Sequence, residues 1–173
     1  YKSTKKIMEE VYLDTSMILE PYSVALKSNK RENTWVKYCK WLMNYGIDRK
    51  KIKPFISCLV LGEIYKRILN CEPSDKLNDA REEINSFIKK CEILPIDTTA
   101  LEIAERIAKN NPRIKNHYDD ILHFGIAMSH KKSFFSIELS ILDMRDIQLE
   151  SKKLGLKIID KDFLLENTDN KRI

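Results

Sequence analysis

The sequence predicts an α/β fold, a three-layer α/β/α sandwich on a mainly parallel central sheet of four to five strands. Three observations predict it. Short apolar, β-prone runs alternate with longer amphipathic stretches, in the order strand, helices, strand, helix, helix, strand, helix, strand. Only four Gly and five Pro punctuate the 173 residues, too few for an all-β protein full of tight turns. The first apolar run, Glu10-Val11-Tyr12-Leu13-Asp14-Thr15-Ser16, ends on a carboxylate followed by two small hydroxyl residues. A buried strand of that kind delivers Asp14 to the end of a sheet, where ligands bind in α/β folds.

The elements follow in chain order. Residues 10–14 form the first strand, and Thr15 and Ser16 cap a short helix through Met17-Ile18-Leu19 before Pro21. Residues 29–33 are a polar loop. From Thr34, Trp35, Tyr38 or Cys39, Leu42 and Tyr45 recur at helical spacing up to Gly46, and residues 48–53 are a charged connection. Pro54-Phe55-Ile56 begins extended and turns helical near Ser57, continuing to about Leu69 with Glu63 in its early turns. Residues 74–91 carry Leu77, Ala80, Ile84, Phe87, Ile88 and Cys91 on one helical face. Ile93-Leu94-Pro95-Ile96 is a short strand whose proline suits an edge. Thr99 and Glu102 have capping-box spacing ahead of the stripe Leu101, Ala104, Ile107 and Ala108. A polar loop spans 109–118; Asp119 and Asp120 open a helix from Ile121 to about His130. Phe134-Phe135-Ser136-Ile137-Glu138 reads as a strand ending on a carboxylate. Residues 144–154 are helical, Gly155 caps them, and Leu156–Asp160 is the last strand.

The length suits a single domain over 1–173, with 1–9 a flexible N-terminal segment and 161–173 a C-terminal tail. No apolar run reaches a bilayer span, and the basic N-terminus has no apolar stretch behind it, so it does not read as a signal peptide. Cys39, Cys58, Cys71 and Cys91 have no close pairing and read as reduced structural thiols of a cytoplasmic protein. His117, His123 and His130 fall at no zinc-ligand spacing with them. The net charge of +5 is uneven: residues 22–53 hold nine basic residues against two acids, so the remainder is net acidic by two. A basic segment beside acidic positions suits a protein that attracts a polyanion, with Lys50, Lys51 and Lys53 as part of an arm facing it; a solvated lysine-rich helix face explains the count equally well.

Asp14 and Glu138 each follow an apolar strand, Asp120 opens a helix, and Glu63 lies early in another. All four face one edge of a parallel sheet if the strands run together. Carboxylates clustered in this way suit Mg²⁺ or Mn²⁺, which take hard oxygen ligands and promote phosphodiester hydrolysis. Taken singly, each acid is a surface cap or salt-bridge partner; the joint placement is the signal. His123 lies three residues after Asp120 and shares its helix face, and is read as a packed histidine before a ligand.

Four pieces together resemble the PIN-domain family of metal-dependent ribonucleases, which includes the VapC toxins. Val11-Tyr12-Leu13-Asp14-Thr15-Ser16-Met17-Ile18-Leu19 is similar to the family's opening strand and first acid. Ser57-Cys58-Leu59-Val60-Leu61-Gly62-Glu63-Ile64-Tyr65 is similar to the segment with its Glu. Asp119-Asp120-Ile121-Leu122-His123-Phe124-Gly125-Ile126-Ala127 is similar to the helix with its third acid, Ala127 setting the register on Asp120. Phe134–Glu138 is similar to the strand ending in Ser/Thr-x-Asp, with Glu where the family has Asp or Asn. The resemblance implies an endoribonuclease that uses Mg²⁺ or Mn²⁺. It implies Asp14, Glu63, Asp120 and Glu138 as catalytic metal-holding acids, with Asp143 or Asp146 as alternatives to Glu138. It also implies Ser16 beside the metal shell, and Asp119 in place of Asp120 if the helix starts one residue earlier. Lys27, Lys30, Arg31, Lys66, Arg67, Arg113 and Lys115 are the residues it offers for RNA binding. Its implied partners are RNA, an antitoxin protein and a second copy in a homodimer, with no membrane.

Other folds also place an acid after a first strand. Haloacid dehalogenase-type phosphatases need a second Asp two residues on, where Ser16 stands. Response-regulator receivers need an acidic pair before the first helix and a phosphoacceptor Asp after the third strand, and neither is present. A housekeeping RNA-processing nuclease, and a PIN-like scaffold that binds RNA or protein without cutting, remain open beside the toxin.

Overall fold

A computed structural model describes residues 8–26, 39–40, 46–48, 50–112, 117–137 and 144–159. Its centre is a five-stranded parallel sheet in the order β3-β2-β1-β4-β5. The strands are β1 (Glu9–Leu13), β2 (Ile52–Ser57), β3 (Glu92–Leu94), β4 (Ser133–Phe135) and β5 (Ile158–Ile159). Between them run α1 (Thr15–Leu19), a 3₁₀ turn (Glu20–Tyr22), α2 (Cys58–Leu69), α3 (Asp75–Ile88), α4 (Thr98–Asn110), α5 (Tyr118–Ser129) and α6 (Arg145–Lys153). The chain steps from β1 outward to β3, then returns past β1 to β4 and β5. Right-handed crossovers in the two directions place α1–α3 on one face and α4–α6 on the other, which makes the three layers the sequence predicts.

The register explains the burial. Glu9 pairs with Ile52 and Tyr12 with Phe55 on one side of β1, while Val11 pairs with Ser133 and Leu13 with Phe135 on the other. Val11, Tyr12 and Leu13 are therefore covered on both faces, which an apolar central strand requires. Pro54 sits inside β2 opposite Val11, but β3 begins pairing only at Phe55, so the missing N–H of Pro54 costs no bond on that side. β3 is an edge strand, as expected, but it starts at Glu92 and stops at Leu94, so Pro95 and Ile96 lie beyond it. Leu77, Ala80, Ile84 and Phe87 form the buried stripe of α3. On the other face α5 approaches α4 closely enough that a Cβ on Gly125 would stand 2.4 Å from the Ala100 carbonyl oxygen. Gly155 closes α6 with φ +65, the left-handed value a helix stop favours.

Several boundaries differ from expectation. Asp14, not Thr15 or Ser16, caps α1, because the carboxylate reaches the Thr15 N–H. Asp97, not Thr99, caps α4; its side chain accepts from the Ala100 N–H, which places Thr99 inside the first turn. β2 starts at Ile52, so Lys53 belongs to the strand. α5 starts at Tyr118, ahead of both acids. β4 ends at Phe135 because its partner turns away there: the Asp14 N–H bonds the Phe135 carbonyl at 3.0 Å and the ladder closes. Glu138 therefore does not follow directly on a strand, and it lies outside the described residues, as do Trp35, Tyr38, Leu42 and Tyr45 of the helix expected from Thr34. The four cysteines form no disulfide.

Candidate functional site

Strand order reverses between β1 and β4, so their carboxyl ends open the crevice in which α/β folds place ligands. Asp14 stands at that point, 4% exposed. Its Oδ1 accepts from the Thr15 N–H at 2.7 Å. Its Oδ2 accepts from the Ser16 and Ser136 hydroxyls, each at 2.7 Å. Ser16 thus helps hold the acid. Ser136 is a residue the sequence reading passed over; the clue was its place, just after a strand and two before an acid. A buried carboxylate with three such donors is fixed in orientation.

Glu63 comes from α2, in the second turn after its N-cap Ser57. Its Oε2 accepts from the Thr15 hydroxyl and, at 3.0 Å, from His123 Nε2. Burial works against its charge, but the His123 hydrogen bond and charge, Thr15 and Lys66 together hold the pKa below the ordinary carboxylate value.

His123, on α5, is 1% exposed, so it is packed as expected. Its polar edge, however, is turned into the acidic pair. Nε2 lies 3.0 Å from Glu63 and 3.6 Å from Asp14 Oδ1. Nδ1 lies 2.8 Å from the Tyr12 hydroxyl, which lies 2.7 Å from the Ser57 hydroxyl. Burial disfavours the imidazolium, yet Glu63, Asp14 and Asp120 outweigh it and raise the pKa. Burial also pushes the Tyr12 phenol far up, which keeps its proton on.

Asp120 sits in the first turn of α5, partly buried, with Oδ2 at 3.2 Å from His117 Nδ1. Its charge reaches His123, whereas Asp119 is exposed. Asp146 accepts from the Asn111 amide at 2.6 Å and so ties α6 to the end of α4. Lys66 and Arg67 are exposed on α2 just beyond Glu63. Glu138, Asp143, Lys27, Lys30, Arg31, Arg113 and Lys115 lie outside the described residues.

The donor chemistry around Asp14 and Glu63 fits a hard divalent cation: both are carboxylates, held by hydroxyl, amide and imidazole donors in the crevice. Among the described residues no group of three or more His, Cys, Asp or Glu is drawn close enough to hold a metal ion, so the pair needs a further ligand from elsewhere.

No family model and no curated protein matches the chain. Solved structures do. The FitAcB structure from Neisseria gonorrhoeae superposes with TM-score 0.56 at 16% identity, covering 87% of this chain and 96% of that one. VapBC2 from Rickettsia felis, bound to a DNA fragment from its promoter, gives 0.53 at 14%, covering 87% and 97%. DNA-bound VapBC from Salmonella typhimurium gives 0.53 at 20%, covering 88% and 98%. These are toxin–antitoxin complexes whose toxin is a PIN-domain protein, and the superpositions cover most of each chain: the fold of this chain is the PIN-domain fold.

Proposed function

We propose that the chain is a divalent-metal-dependent endoribonuclease that hydrolyses RNA phosphodiester bonds, acting as the toxin of a toxin–antitoxin pair. The observation that carries this reading is the meeting of Asp14 and Glu63 at the switch point of a sheet whose fold is shared with VapBC and FitAB structures. Asp14 and Glu63 would hold Mg²⁺ or Mn²⁺; Asp120, which is not drawn up to them as a third ligand, and Glu138 or Asp143 are the further acids that the resemblance offers to complete the set. Asp146 is a weaker choice because its carboxylate already serves Asn111. When bound, such a cation supplies water activation and offsets charge on the leaving oxygen.

The chain's own residues supply the rest. Ser16, Ser136 and the Thr15 amide orient Asp14; Thr15 and His123 orient Glu63. Lys66 and Arg67, exposed on the helix that carries Glu63, are candidates to hold the phosphate backbone, with Lys27, Lys30, Arg31, Arg113 and Lys115 as further candidates by resemblance. One core cluster spans all the described elements, which supports a single domain. No helix among the described residues is long and apolar enough to cross a membrane. An antitoxin protein and a second copy of the chain are the proposed protein partners.

The test is cleavage of a structured RNA with Mg²⁺, Mn²⁺ or EDTA, beside Asp14→Asn and Glu63→Gln. Cleavage that requires metal and falls to background in both variants is the expected result. Metal-independent cleavage, or full activity in either variant, sinks the reading. The second reading is an RNA- or protein-binding scaffold. It draws on the His123 ion pair, which already balances charge between the two acids. A wild type that neither cleaves nor takes up Mn²⁺ in calorimetry would establish that reading instead.

A further inference from the structure

We propose that His123 is the positioning residue of the acidic pair: Tyr12 and Ser57 lock its ring so that the Nε2–H holds Glu63 beside Asp14. Among the described residues Nε2 faces two carboxylate oxygens, at 3.0 Å and 3.6 Å, so that nitrogen carries a hydrogen. Nδ1 is taken by the Tyr12 hydroxyl at 2.8 Å, and that hydroxyl by Ser57 at 2.7 Å. All three side chains are buried, and no buried side-chain polar atom among the described residues lacks a partner. The network is thus complete, as a polar set inside an apolar core must be.

Its placement is what gives it a role. Tyr12 precedes the strand end that presents Asp14. Ser57 caps the helix that presents Glu63, accepting from the Val60 N–H at 3.5 Å. His123 follows Asp120 by one turn of α5. Three hydroxyl or ring groups therefore couple the three elements that deliver the three acids. A Phe, a Leu and an Ala would fill the same space without any polar partner to satisfy, so packing alone does not call for this set. Glu63 has a flexible side chain whose ordering costs entropy; a rigid donor fixed from behind meets that cost before any ligand arrives.

The role rests on the acids holding a divalent cation, and the experiment separates the two. Full-length wild type, Tyr12→Phe, His123→Leu and His123→Gln are titrated with Mn²⁺ by calorimetry. The exchange-protected Nε2 proton of His123 is followed by NMR in EDTA in wild type and Tyr12→Phe. Tyr12→Phe keeps the ring and removes one hydroxyl. It is expected to weaken Mn²⁺ binding about tenfold and to lose the protected proton signal, in line with the usual cost of removing a partner behind a ligand. His123→Leu should lose about ten- to a hundredfold, and His123→Gln should recover most of it, since its amide N–H can reach Glu63. Tyr12→Phe with wild-type Mn²⁺ affinity and an unchanged proton signal overturns the positioning role, as does a His123→Gln no better than His123→Leu. A wild type that takes up no Mn²⁺ overturns the metal reading itself, and the role with it, even where the ring stays locked.

Discussion

At the residue scale, the Glu63–His123 pair makes the metal-free protein a reporter of its own pocket. The folded pKa of His123 lies above its ordinary 6.5, so its stabilisation is full below that pH and fades as pH rises through the folded value. The folded pKa of Glu63 lies below 4.5, so its share is full above that pH and fades as pH falls through the folded value. In EDTA, the stability gap between wild type and Glu63→Gln, measured by urea unfolding, should form a plateau between pH 4.5 and 6.5 and shrink on both sides. A gap that is flat from pH 4 to 9 would show that the two charges do not interact in solution. Asp14 was legible in the sequence because an apolar run ends on it and other acids follow at the ends of other elements. His123 was visible only as a neighbour of Asp120. Its partners Tyr12 and Glu63 lie 111 and 60 residues away, and no local pattern encodes such a meeting.

At the element scale, the apolar stripe of α3 was legible, that of α4 only in part, since Leu101 is exposed while Ala100 and Ile103 are buried, and the helix ends were not. The stripe of α3 matches its buried residues because four positions must share one face. The starts of α1 and α4 were misplaced because Asp, Thr and Ser can each cap, and geometry alone decides which does: Asp14 and Asp97 won. β4 read too long because Ile137 continues its apolar pattern, whereas the ladder depends on where β1 leaves. Two glycines make the helix packing testable. Gly125→Ala drives a Cβ against the Ala100 backbone and should cost about 1–3 kcal/mol in urea unfolding. Gly62→Ala, with open space around the new carbon on α2, should be neutral or stabilise by up to about 1 kcal/mol. If the first variant were no less stable than the second, the close approach of α4 and α5 would be wrong.

At the scale of the whole molecule, the two halves of the sheet are joined through the pocket. Asp14 connects β1 to β4 through its own N–H and through the Ser136 hydroxyl, and Glu63 connects α2 to α5 through His123. A cation held there should therefore stiffen the entire fold. Mn²⁺ at a hundred times its dissociation constant should add about 2.7 kcal/mol and raise the melting temperature over that in EDTA, and Asp14→Asn should abolish the increment. An equal rise in the variant would place the ion elsewhere.

The same connections have a consequence in time. The hydroxyl that clamps Asp14 comes from a residue 122 positions later, and the ring that clamps Glu63 from one 60 positions later. Contacts this distant along the chain form late in folding, after the local helices. During synthesis the N-terminal strand leaves the ribosome with its acid long before β4 exists to receive it. A growing polypeptide therefore carries Asp14 and Glu63 without their alignment, and the pocket is complete only once the last third of the protein has emerged.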